Sequence, residues 1–261
     1  MSDPYNGVLT VETEGAIATV TLTRPDAFNA INDDMRMALI QAVADIDGMA
    51  EIRVVILKGE GPGFCAGADL KGGLGPMPTD HMLESEYRPS LMGIANSSKI
   101  WIAQVHGSAA GIGAAYAMNC DMVVMAENAS LYMAFAAISL VPDGGNTWLL
   151  LKGMGYHRAL QAIIEGRKIP AEECLQHGLV NQLSPVDQLE ADTRALAERI
   201  AAAAPLAAAS AKKILRNISN VSFSDAFTAE AQAQAPLTQS ADFREGVQAF
   251  IEKRKPVFKG K

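Results

Sequence analysis

Between residues 15 and 178, apolar runs of strand length alternate with stretches of helical periodicity, and from residue 187 onward no strand signal returns. That order constrains the fold more than any other feature of the chain. It predicts an α/β core followed by a helical C-terminal appendage. "GAIATVTLTRP" (15–25) alternates, is rich in β-branched residues and stops at a proline, as a strand does. "IRVVILKGEG" (52–61) is a continuous apolar run ending in glycines, the pattern of a buried strand. "KIWIAQVHG" (99–107) and "CDMVVMAE" (120–127) read the same way. Residues 30–49 have an Asn/Asp start, helical spacing of apolar residues and a glycine stop. Helices are also expected over 147–154 and 156–165, with Gly155 between them, and over "PAEECLQHG" (170–178). "DQLEADTRALAERIAAAAPLAAASAKKILRN" is rich in alanine and has no strand signal, and more helix is expected from about 224 to 254. The expected division is a core over 1–195 and a helical region over 196–261 that packs on the core or on another subunit.

Composition removes several classes of function. The chain has 261 residues, is 49% hydrophobic and carries a net charge of −7. That is enough chain for one large domain. No long basic run occurs outside the tail "EKRKPVFKGK", so nucleic acid is not an expected partner. The tail is either a solvated end or a clamp for an anion. Cys65, Cys120 and Cys174 are odd in number and lack CxxC spacing, which predicts reduced thiols rather than a disulfide or zinc framework. No metal site is expected. "MSDPYNGVLT" has no apolar signal-peptide region, and apolar stretches such as 131–142 are too short to span a bilayer. A cytoplasmic protein without a membrane partner is expected.

Two glycine-containing segments share one logic. "GPGFCAGADLK" (61–71) and "HGSAAGIGAA" (106–115) each follow a strand with small residues, which lets a ligand approach the backbone closely. One N–H from each could converge on a developing oxyanion, although tight helix–strand packing produces the same pattern. A third segment, "SLVPDGGNTWLLL" (139–151), sets a lone carboxylate, Asp143, at an apolar turn. Asp143 either caps the helix that follows or performs chemistry.

Taken in order, these blocks resemble the crotonase (enoyl-CoA hydratase/isomerase) superfamily. The resemblance rests on "RPDAFNAIN" (24–32), "FCAGADLK" (64–71), "VHGSAAGIG…CD" (105–121), "LVPDGGNTW" (140–148), "AEECLQHGLVNQL" (171–183) and "REGVQAFIEKRKPVF" (244–258). It implies a spiral of ββα units, an acyl-CoA substrate, and a homotrimer or dimer of trimers. It implies that the amides of Ala68 and Ile112 hold the thioester oxygen. Ala66, Ala68, Asp69, Leu70 and Lys71 would line the CoA path, with Arg24, Ala27 and Phe28 beside it and Phe135 near the acyl group. Phe250 and Lys253 match positions near the CoA phosphates, often contributed by a neighbouring subunit. A basic tail on an acidic protein suits such anions. No resident cofactor is implied; CoA enters as part of the substrate.

The chain departs from the hydratases of this family at both glutamates that handle water. Ala115 and Phe135 stand there instead, and neither moves a proton. Asp143 occupies a turn position that is usually glycine in hydratases and aspartate in some isomerases. "YMAFAAISLVPDGGNTWLL" (132–150) is especially similar to the phenylacetate-pathway isomerases that act on ring-epoxide CoA thioesters. Related members move a double bond from the Δ3 to the Δ2 position. A 1,3 proton shift needs one base rather than two. Apolar Phe135, Leu140 and Val141 would raise the pKa of Asp143 and a helix N-terminus would lower it, so the sequence leaves the sign open. The expected function is acyl-CoA isomerisation with Asp143 as the acid/base. The alternatives are a hydratase with another base, a nucleophilic Asp143 as in aryl-CoA dehalogenases, and a CoA-binding protein with little chemistry. His106 is expected to be structural or near the ligand. Glu84 and Glu86 lie in a stretch (76–92) that often covers the acyl pocket, most simply on a solvated helix face.

Overall fold

The structure is a computed structural model that describes residues 3–71, 73, 76–218 and 220–261. Its strands are β1 (Leu9–Glu14), β2 (Ile17–Leu22), β3 (Val54–Gly59), β4 (Ile100–Val105), β5 (Ser108–Ala110), β6 (Met122–Ala126), β7 (Ser130–Tyr132), β8 (Lys168–Pro170) and β9 (Gln182–Ser184). The helices of the core are α1 (Asp33–Gly48), α2 (Thr79–Met82), α3 (Arg88–Asn96), α4 (Ile112–Asn119), α5 (Asn146–Met154), α6 (Tyr156–Ile164) and α7 (Ala171–Gln176). α8 (Leu189–Ala201), α9 (Pro205–Asn217), α10 (Phe223–Leu237) and α11 (Ala241–Glu252) follow without further strands.

The main sheet has the order β1-β2-β3-β4-β6-β9. β1 and β2 form an antiparallel hairpin, and every later pair is parallel. Parallel strands covered on both faces explain the unbroken apolar runs. All six residues of β4, the strand between β3 and β6, are buried. α8 lies along β2, β3, β4 and β6, while α4 packs against β4, β5 and β6. A second sheet, β5-β7-β8, carries the start of α4. The α/β core and the strandless helical region agree with the sequence. Residue 195 falls within α8.

The sequence reading missed β1, β5, β7, β8 and β9. β1 is "LTVETE", with a mostly polar, exposed face on the sheet edge. The other four have three residues each and are set by their neighbours rather than by a pattern of their own. α1 begins as expected, with the Asn32 side chain accepting from the Met35 amide at 3.1 Å. The helical region is tied to the core by a buried ion pair: Lys212 Nζ of α9 lies 2.7 Å from Asp121 Oδ2. The same ammonium donates to the carbonyls of Ile94 and Lys99, each at 2.8 Å.

Candidate active site

Residues 64–69 run as an extended strip between residues 28–31 and β5. Phe64 donates to the His106 carbonyl (3.0 Å), Cys65 to Ser108 (3.2 Å), and Ala110 back to Cys65 (2.8 Å). On the other side Ala66 donates to Phe28 (2.9 Å), Ile31 to Gly67 (2.7 Å) and Asp69 to Ile31 (3.0 Å). The amides of Phe64, Cys65, Ala66 and Asp69 are thereby used, and that of Gly67 meets Cys65 Sγ at 3.5 Å. The amide of Ala68 is left with no acceptor among the described residues. So is that of Ile112, the first residue of α4, where helix geometry provides no partner.

The two free amides are brought together by the glycines that precede them. Gly67 has φ +93°, and a Cβ there would lie 2.8 Å from the Ala110 carbonyl oxygen. Gly111 has φ +54°, and its Cβ would lie 3.8 Å from Gly67 Cα. Only residues without a Cβ allow this backbone-on-backbone approach with left-handed φ values. The positive end of α4 adds to the field at Ile112. Ala68 is exposed and borders a cavity of about 440 Å³ that is also lined by Asn32, Arg36, Met82, Glu86 and Tyr87. Two unpaired N–H donors on adjoining strips, that of Ala68 beside this cavity, are the donors an oxyanion hole requires.

Asp143 lies on the turn that packs on the first residues of α4. A Cβ on Gly144 would meet the Ala115 side chain at 2.8 Å and Ile112 Cγ1 at 2.9 Å. Its Oδ1 is buried and has no hydrogen-bond partner among the described residues. Burial pushes the carboxyl up to about 6, against a smaller downward pull from its own amide. The sign left open by the sequence is therefore upward. No side chain caps α5, whose N-cap is Gly145, so the capping role weighed for Asp143 does not hold. Leu140 and Val141 are 50% and 73% exposed, and of the three apolar residues expected to shield the carboxylate only Phe135 is buried.

Asn146 completes the turn, and sequence reasoning missed it. It is fully buried, and its Nδ2 donates to the carbonyls of Gly111 and Asp143, each at 3.0 Å. One amide side chain thus fastens the carboxylate turn to the oxyanion strip. The available signal was an Asn after a glycine pair in an otherwise apolar segment.

The other expected residues divide into two groups. Arg24 pairs with Asp69 at 2.9 Å, and this bond holds the Asp69 carboxyl below the usual range. Ala66, Leu70, Lys71 and Phe28 are exposed along the strip, Ala27 is half-buried beside them, and Phe135 is buried with Cζ 3.8 Å from the Cβ position of Gly111. Phe250 and Lys253 lie elsewhere, at the end of α11, where Phe250 is 85% exposed and borders a different cavity with Phe243 and Phe258. In the basic tail Arg254 is engaged by Glu245 and Glu252, each at 2.6 Å. Glu86 pairs with Arg36 at 2.6 Å and Glu84 with Arg88 at 3.4 Å, so Glu86 faces the cavity rather than solvent. His106 Nε2 bonds the Gly61 carbonyl at 2.9 Å, a structural link. Cys65 is buried with its thiol pushed up to about 12, consistent with packing.

Comparison with known proteins decides the family: residues 12–261 match the model of the enoyl-CoA hydratase/isomerase family. The chain belongs to this crotonase-type family. It is 38% identical over 251 residues to a probable enoyl-CoA hydratase of Rhodobacter capsulatus, covering 96% of this chain and 97% of that one. It is 34% identical over 253 residues to the 1,2-epoxyphenylacetyl-CoA isomerase of Escherichia coli, covering 95% and 97%. The crystal structure of an enoyl-CoA hydratase from Bacillus anthracis superposes with a TM-score of 0.92 at 32% identity, covering 97% of this chain and all of that one. The crotonase fold is thus shown, and the relatives carry both hydratase and isomerase names. Among the described residues, no helix is long and apolar enough to cross a membrane.

Proposed function

We propose that this member of the enoyl-CoA hydratase/isomerase family is an acyl-CoA isomerase in which Asp143 is the single acid/base. The observation that carries this reading is the buried, unpartnered Asp143 Oδ1 on a turn that packs on Ile112, together with free amides at Ala68 and Ile112 and with Ala115 and Phe135 where hydratases hold their glutamates. The thioester oxygen accepts from Ala68 and Ile112, which stabilises the enolate formed when a proton leaves the carbon next to the carbonyl. Asp143 takes that proton. The electron pair delocalises over a conjugated chain, and Asp143 returns the proton two carbons further on. A 3-enoyl thioester becomes a 2-enoyl thioester with no atom gained or lost. A pKa near 6 suits the task, because the base form dominates at neutral pH and the conjugate acid is still a competent donor. Ring-epoxide thioesters are a second substrate class, supported by the similarity to the Escherichia coli isomerase.

CoA is substrate here, and the proposal includes no resident cofactor. Arg24 and the strip 66–71 would hold the CoA path. Phe250 and Lys253 would serve the site of a neighbouring subunit, with residues 196–261 forming the contacts of a homotrimer or dimer of trimers. Incubation with trans-3-hexenoyl-CoA, followed by mass spectrometry and chromatography, tests the reaction. The expected product is the 2-enoyl isomer, of unchanged mass. Accumulation of a product heavier by one water, with no isomer, would overturn isomerisation in favour of hydration.

A further inference from the structure

The Ile112 amide can serve an oxyanion only if its peptide plane is turned toward it, and sterics alone do not set that plane. The plane joins Gly111 to Ile112. Gly111 has φ +54° and ψ −128°, and a residue without a Cβ lets the peptide that follows it rotate at little cost. The plane is therefore held by its hydrogen bonds. A trans peptide is flat, with its carbonyl and its N–H on opposite edges, so whatever fixes the Gly111 carbonyl also aims the Ile112 N–H. That carbonyl accepts from two donors: the Ala114 amide at 3.1 Å, in the first turn of α4, and Asn146 Nδ2 at 3.0 Å. The helix supplies the first bond itself. The second comes from another element, 35 positions along the chain.

That second bond is kept at a cost. Asn146 is fully buried, and its Oδ1 has no hydrogen-bond partner among the described residues. A leucine of similar size would fill the space without stranding an acceptor, so packing does not account for an asparagine here. What the side chain supplies is Nδ2, shared between the carbonyls of Gly111 and Asp143. The Asp143 carbonyl also accepts from the Asn146 backbone amide at 3.0 Å, which closes the carboxylate turn. One nitrogen thus sets the peptide that bears an oxyanion donor against the residue that bears the carboxylate. A donor on the carbonyl edge also polarises the peptide, which strengthens the N–H on its far edge.

We propose that Asn146 is a positioning residue of the oxyanion hole: through the Gly111 carbonyl it aims and polarises the Ile112 N–H and keeps it in fixed relation to Asp143. The inference rests on the acyl-CoA reading of the site. It does not depend on isomerisation, because any enolate formed on the thioester would use the same donor.

Calorimetric titration of the full chain with acetoacetyl-CoA and with butyryl-CoA tests it, for wild type, Asn146→Leu and Asn146→Ala. At mildly alkaline pH acetoacetyl-CoA ionises in part to its enolate, whereas butyryl-CoA stays neutral at the acyl group. The ratio of the two affinities reads the hold on a negative oxygen, while a general loss of fold or packing lowers both affinities alike. Wild type should prefer acetoacetyl-CoA, and each variant should lower that preference roughly tenfold, the loss of about one hydrogen bond to a charged group. Butyryl-CoA affinity should stay within about threefold of wild type. Asn146→Ala decides the matter if leucine does not fit the turn. No preference in wild type, an unchanged preference in a variant, or an equal fall in both affinities would overturn the positioning role while leaving the acyl-CoA reading intact. Failure of wild type to bind either thioester would defeat both.

Discussion

A carboxyl group raised to about 6 by burial destabilises the folded protein at the pH where it works. Its folded pKa lies above the ordinary 3.8, so the native state binds this proton more tightly than the unfolded chain. The favourable contribution is complete below pH about 4 and is lost as the pH rises through about 6. Asp143→Asn should therefore raise stability at pH 7.5 by about 1–3 kcal/mol, allowing for the partial exposure of the turn. At pH 4 the two proteins should unfold alike. Denaturant unfolding at the two pH values checks this, and the wild-type kcat/KM should show an acid limb with an apparent pKa of about 6. At this scale the sequence exposed Asp143, Ala68 and Ile112 because they sit in motifs of fixed spacing. It did not expose Asn146. That role comes from a neighbour across the fold: Asn146 bonds a carbonyl 35 positions away.

At the scale of elements, the site depends on strips and helix ends held in register by a few buried bonds. α4 is eight residues long and wholly buried, and its small side chains let it run beneath the Asp143 turn. Long buried strands and long helices were legible because their periodicity repeats over several residues. Three-residue strands such as β5 and β7 carry too few residues for a period and exist through their partners. The link between α9 and the core was not legible either, since neither Lys212 nor Asp121 stands out by spacing. Removing Asp121 leaves the Lys212 ammonium buried, with only carbonyls for partners, and leaves Arg216, which Asp121 holds at 2.9 Å, with its bonds to Asn119 and no carboxylate. Asp121→Ala should cost about 3 kcal/mol. Lys212→Met in the same background should recover part of that loss, as measured by urea unfolding. A cost below about 1 kcal/mol would show that the ion pair does not anchor the helix.

For the whole molecule, the alternation of strand and helix up to about residue 184, and helix alone afterwards, carried the architecture from sequence to structure. The sequence left open whether the helical region packs on the core or on another subunit. In that region Leu215, Phe223, Phe227, Phe250 and Ile251 are each more than 60% exposed, which is more large apolar surface than a monomer ordinarily presents to water. Light scattering of the purified protein should give three or six times the 27.6 kDa chain mass. A mass of one chain would contradict the proposal that residues 196–261 build a trimer. Turnover of the assembled enzyme in D2O, with wild type and Asp143→Asn compared on trans-3-hexenoyl-CoA, tests the central claim most directly. A single shielded carboxylate predicts 2-enoyl product from wild type, with part of the product retaining the original proton, and a loss of at least about a hundredfold in rate for Asp143→Asn. Full turnover by Asp143→Asn would contradict it.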